Sequence, residues 1–150
     1  MLPHIQIRNL LFIDIETVPE FSSHNQLSGI MKELWEAKHN TLHITDELPE
    51  ESYLKRAGVF AEFAKIICIS IGHFHTDKES GKRIFRLKSF AGDDEKSLLT
   101  EFEKVIRKNF NDAERYHFCG HNIREFDIPF ICRRMLKHAV ELPHILDRSG

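Results

Sequence analysis

The chain has 150 residues, enough for one ordinary domain with its own core. Its 41% apolar and 29% charged residues are close to a globular average, so a packed core is feasible. With 21 basic and 23 acidic side chains the formal charge is −2, which excludes a nucleic-acid binder that works through a massively basic surface, and equally an acidic disordered tail.

In chain order, Leu10-Leu11-Phe12-Ile13 opens the first apolar run and continues through Asp14-Ile15-Glu16. It is rich in β-formers and stopped by Pro19, which predicts a buried strand. Leu27, Ile30, Met31 and Leu34 recur at helical spacing, and Pro49 before Glu50-Glu51 suits the start of a second helix. Residues 65–74 give the strongest strand signal of the chain. A polar loop over 76–82 containing Gly81 follows, then alternating Ile84, Phe85, Leu87 and Phe90, which together predict an antiparallel hairpin.

Residues 93–110 form a predicted helix with Leu98, Leu99, Phe102, Val105 and Ile106 on one face. Acids crowd its first turn, with Arg107 and Lys108 in its last, as the helix dipole favours. Tyr116-His117-Phe118-Cys119 reads as a short strand ending at Gly120. Phe130, Ile131, Met135 and Leu136 make a last amphipathic segment after Pro129. The order predicts an α/β fold with a mixed sheet: the hairpin demands an antiparallel pair and the helix crossover permits a parallel one.

Acidic pairs spaced i, i+2 recur, as at Asp77/Glu79, Asp93/Glu95, Glu101/Glu103 and Glu125/Asp127, so spacing alone says little. Asp14 and Glu16 differ in setting, because they interrupt Leu, Phe and Ile. On a strand they would point to the same face, roughly 6–7 Å apart. Burying two like charges is costly unless a cation lies between them, and a hard divalent ion such as Mg²⁺ or Mn²⁺ would resolve the conflict. The competing reading ends the strand near Ile13 and leaves both acids solvated.

The second constellation runs from Gly120 to Phe130, after a short strand, where α/β folds place ligand loops. Asp127 there could be a helix N-cap, with Pro129 as an early helical residue. Capping alone does not account for His121, Asn122 and Phe126.

These two stretches together resemble the DEDD superfamily of 3′→5′ exonucleases, which has a ribonuclease H-like fold. Phe12-Ile13-Asp14-Ile15-Glu16-Thr17 is similar to its first motif, an apolar strand carrying Asp-x-Glu and then a hydroxyl residue. Asn122, Ile123-Arg124-Glu125, Phe126, Asp127 and Ile128-Pro129-Phe130 are similar to its second motif in the proofreading domain of family B DNA polymerases. The resemblance implies two-metal-ion hydrolysis of the terminal phosphodiester of a single-stranded or frayed 3′ end, with DNA favoured over RNA. It implies Asp14, Glu16 and Asp127 as catalytic metal ligands for two Mg²⁺ or Mn²⁺ ions. Thr17, Asn122 and Phe126 would contact the terminal nucleotide or shape its pocket.

The third motif of that family, Tyr-x3-Asp or His-x4-Asp, has no counterpart. Neither Tyr53 nor Tyr116 has an acid four residues on, and no histidine has an Asp five residues on. Residues 1–150 are therefore expected to be the N-terminal portion of a single exonuclease-like domain whose C-terminal part is missing. Such a portion would be inactive alone, and Arg148-Ser149-Gly150 does not look like a natural end. The alternatives are a non-catalytic ribonuclease H-like module that binds nucleic acid or protein and, more distantly, a receiver-like phosphotransfer domain with an all-parallel sheet.

Arg124, Arg133 and Arg134 could touch backbone phosphates, although a solvated helix face is the preferred reading. His73 and His75, on one strand face, are expected to be ordinary strand histidines before metal ligands. Three cysteines without a CxxC pair (Cys68, Cys119 and Cys132) point to a reducing cytoplasm and to core filling. No run approaches the roughly 20 apolar residues of a membrane span, and the first residues show no basic n-region followed by an apolar h-region.

Overall fold

The computed structural model describes residues 6–147. Their elements are β1 (Leu10–Pro19), α1 (Gly29–Thr41), α2 (Pro49–Arg56), β2 (Ala64–Thr76), β3 (Arg83–Ala91), α3 (Glu95–Asn109), β4 (His117–Cys119) and α4 (Asp127–Lys137). Each predicted element is present. The chain divides into two compact units, Thr17–Ile66 and the described residues on either side of that segment.

The larger unit is built on a four-stranded sheet in the order β3-β2-β1-β4. Strands β2 and β3 pair antiparallel from Cys68↔Ala91 to Thr76↔Arg83, as the hairpin pattern predicts. Their loop closes through Asp77, whose amide donates to the Lys82 carbonyl at 2.9 Å. Gly81 sits there at φ 66°, a left-handed conformation that glycine adopts without a Cβ penalty. Strand β4 lies parallel to β1, in register Leu10↔His117 to Phe12↔Cys119. The fold is thus α/β with a mixed sheet flanked by helices, and the antiparallel hairpin is incompatible with an all-parallel receiver sheet.

The two faces of this sheet differ. Leu11, Ile13 and Ile15 of β1 are buried, as are Ile69, Ile71 and Phe90 of the hairpin. Helix α3 covers that face through Leu98, Leu99, Phe102 and Ile106, with Phe102 edge-on to Phe90 at 5.8 Å. Asp94 caps α3 by accepting the Ser97 amide hydrogen at 3.2 Å, as the acid-rich first turn suggests. On the opposite face Phe12 packs edge-on against Phe74 and Phe85, at 6.1 and 5.7 Å. Gly72 makes that packing possible, because a Cβ there would collide with the Phe85 ring.

Helix α4 starts two residues before Pro129 and buries Phe130, Ile131 and Met135, whereas Leu136 is exposed. Arg134 is the larger surprise. It is 1% exposed, and its guanidinium meets the buried Glu95 carboxylate at 2.8 and 2.5 Å, so it lies neither on a solvated face nor against phosphate. His138 Nε2 lies 2.7 Å from the same carboxylate. A helical spacing pattern shows which face a residue occupies, but not that an acid 39 positions away will draw an arginine inward.

In the smaller unit Trp35, Tyr53 and Phe63 form the centre of an aromatic cluster, with Trp35 5.3 Å from Tyr53 and 5.1 Å from Phe63. The Trp35 indole donates to the Pro49 carbonyl at 2.8 Å, tying α1 to the start of α2. Ile30 and Leu34, assigned by spacing to the apolar face of α1, are exposed because Trp35 and His39 set its buried side. Among the described residues no helix is long and apolar enough to cross a membrane.

Candidate active site

Strand β1 alternates strictly through its middle: Ile13 and Ile15 are buried, Asp14 and Glu16 exposed. The strand does not end near Ile13, yet both acids reach solvent. Their carboxylates project side by side from the sheet face that carries Phe12, without the desolvation penalty that burial would impose.

Strand β4 stops opposite Phe12, leaving β1 without a β4 partner beyond that point. Asp127 takes over: its Oδ1 accepts the Ile15 amide hydrogen at 3.1 Å, across 112 residues of sequence. Asp127 is the first residue of α4 and is 3% exposed. It is not the N-cap; Phe126 occupies that position and caps with no side-chain bond. The second motif's acid therefore meets the first motif's strand at the residue between Asp14 and Glu16.

Burial pushes the Asp127 carboxyl above the ordinary carboxylate range, and the negative charge of Asp14 adds to the effect. Hydrogen bonds from its own amide and that of Ile15, with the positive influence of His121, oppose the rise. The influence of Asp14 on Asp127 shows that these two carboxyl groups, far apart in sequence, share one electrostatic neighbourhood.

The loop between β4 and α4 is shaped by Gly120 and Asn122. A Cβ on Gly120 would stand 2.5 Å from the Ile13 carbonyl oxygen, so only glycine lets this backbone cross β1 so closely. Asn122 is exposed at φ 52°, and its carbonyl accepts the amides of Glu125 and Phe126 at 3.1 and 3.0 Å, turning the chain into α4. Phe126 is half-buried, with its ring 5.4 Å from that of Phe130. The Thr17 hydroxyl donates to the Gly58 carbonyl at 2.6 Å, within the smaller unit, and keeps its lone pairs as acceptors.

Hard carboxylate oxygens are the donor chemistry that Mg²⁺ or Mn²⁺ prefers. Nevertheless, among the described residues no three His, Cys, Asp or Glu side chains gather closely enough to hold a metal ion. Asp14, Glu16 and Asp127 are not such a group as they stand. The cysteines are half-buried and free, and burial pushes the Cys132 thiol upward, away from thiolate chemistry.

The Ile15 amide is the part of this arrangement that the motifs did not single out. Nothing local announces it, since a backbone donor has no residue signature.

No protein-family model matches the chain, and no curated protein matches it significantly.

Proposed function

We propose that this chain belongs to a ribonuclease H-like 3′→5′ exonuclease acting on a single-stranded or frayed DNA end, with Asp14, Glu16 and Asp127 as its acidic residues. The observation that carries this reading is the Ile15–Asp127 hydrogen bond, which joins the two motifs at their acidic positions. The sheet order β3-β2-β1-β4, with β4 parallel to β1, is the strand arrangement that such a fold calls for. Asp14 and Glu16 present negative oxygen on an open face, and Asp127 is held by the strand between them.

A non-catalytic ribonuclease H-like module that binds nucleic acid or protein is the second reading, favoured by the lack of a Tyr-x3-Asp or His-x4-Asp within residues 1–150.

The test is a 5′-labelled oligonucleotide incubated with Mg²⁺ or Mn²⁺ and the full-length protein. Stepwise shortening from the 3′ end is expected, and Asp14→Asn or Asp127→Asn should reduce it by at least about 10³-fold, the scale of losing a group that acts on the transition state. Trimming that survives both substitutions removes the site assignment. A well-folded protein that binds the strand without shortening it supports the non-catalytic module.

A further inference from the structure

A second concavity lies on the α3 side of the sheet. It is a cavity of about 490 Å³, lined by His73 of β2, Arg86 and Lys88 of β3, Asn109 and Phe110 at the end of α3, and Tyr116 before β4. Its size falls within the range of small-molecule sites. Arg86 lies opposite His73 and Lys88 opposite Ile71 in the hairpin register, so the two cations sit two residues apart on one face of the edge strand.

The chemistry of the lining is lopsided. Arg86 and Lys88 are exposed, and among the described residues neither has an acidic side chain within ion-pair distance. No acidic residue lines the cavity at all, in a chain whose formal charge is −2. Its aromatic wall is continuous: His73 lies edge-on to Phe110 at 5.2 Å, and Phe110 edge-on to Tyr116 at 5.3 Å. The Arg115 guanidinium lies 4.9 Å over the outer ring, adding a third cation beside the rim.

Cations without acidic partners beside a wall of rings, Lys88 with its ammonium 4.8 Å over the Phe90 ring, suit a ligand with a phosphate at one end and a flat ring at the other. From this juxtaposition we propose that the groove between β3 and the end of α3 binds an unpaired nucleotide, with Arg86 and Lys88 on its phosphate and Tyr116 and His73 against its base. Arg and Lys neutralise phosphate charge, and aromatic faces accept any base, so recognition there is indifferent to sequence. The site makes no use of Asp14, Glu16 or Asp127 and stands whether or not those acids cut a strand.

The experiment is fluorescence anisotropy with a labelled ten-nucleotide oligothymidylate in EDTA, across a salt series, on the whole chain. Arg86→Gln with Lys88→Gln should weaken binding at least tenfold and flatten the log–log salt dependence by about 1.4, the expectation for two lost contacts to a single strand. Tyr116→Leu should weaken binding severalfold while leaving the salt slope unchanged, and circular dichroism reports whether each variant is folded. Lys78→Gln, an exposed cation that lines neither site, should bind like the unaltered protein, which separates this groove from a general loss of positive charge.

Competition by thymidine monophosphate would assign the groove to a free nucleotide, and competition by unlabelled oligonucleotide alone would assign it to a strand. The proposal is overturned if the double variant binds with unchanged affinity and slope, or if neither ligand binds the unaltered chain.

Discussion

Asp127 Oδ1 accepts the amide hydrogen of Ile15 at 3.1 Å and so binds the start of α4 to the middle of β1. The carboxylate does the work of a missing strand: β4 is three residues long, and beyond its end a side chain satisfies the backbone of β1. The residue most suspected of chemistry is thereby also a structural strut.

That double role predicts different outcomes for two substitutions at one position. Asp127→Ala leaves a buried amide without an acceptor and should destabilise the chain by about 1–3 kcal/mol. Asp127→Asn keeps an oxygen in place and should unfold at the same or higher denaturant concentration than the unaltered chain. Urea titrations of the two variants check this, and equal midpoints would show that the Ile15 bond contributes nothing.

The same carboxyl gives a pH dependence with a definite sign. Its folded pKa is raised, chiefly by burial and then by Asp14, so the protonated form is favoured in the native state. This contribution is fully present below the unfolded value of 3.8 and is lost as pH rises through the higher folded value. Thermal midpoints of the unaltered chain and Asp127→Asn, followed from pH 3 to 7, should therefore diverge, with the variant gaining relative stability as pH increases. Parallel curves would contradict the assignment. Asp14→Asn removes the negative neighbour and should lower the Asp127 pKa, read from its carboxyl carbon resonance.

Gly120→Ala should be disruptive out of proportion to its size. The added methyl meets the Ile13 carbonyl oxygen, a backbone atom that cannot step aside without moving β1. A loss of about 1–3 kcal/mol is expected from such overpacking. Gly29→Ala, where a Cβ meets nothing within 4 Å, is the control and should leave stability unchanged or improved.

Breaking the buried pair of Arg134 and Glu95 should cost about 3–5 kcal/mol, since one charge is left behind without its main partner. Arg134→Ala is the variant to measure by denaturant unfolding. Its folded fraction should still bind oligonucleotide as the unaltered chain does, because the guanidinium faces the interior.

What the sequence made legible was whatever has a period or a punctuation mark. The alternation of Ile13, Asp14, Ile15 and Glu16 announced a strand with two faces, and the phenylalanines flanking the Asp77–Lys82 loop announced a hairpin. Ile30 and Leu34 show the limit, because helical spacing admits two neighbouring stripes and Trp35 decided between them. Arg134 shows another limit: its burial depends on a carboxylate from a different helix. The motif likeness places Asp14 and Asp127 in one expected site, whereas the Ile15 amide that Asp127 accepts from is invisible to any reading of side chains.

Strand β3 forms one border of the sheet, and nearly every residue in it faces solvent, including Ile84, Phe85 and Leu87. A border so rich in β-formers invites edge-to-edge pairing with other copies of itself, and charge is the usual deterrent. Arg83, Arg86 and Lys88 supply that deterrent along the whole strand, since a second molecule arriving in the same way would bring three more positive charges. Neutralising them should therefore show up first in the test tube as turbidity and fibril-binding dye fluorescence on concentration, making this short basic border a guardian of solubility.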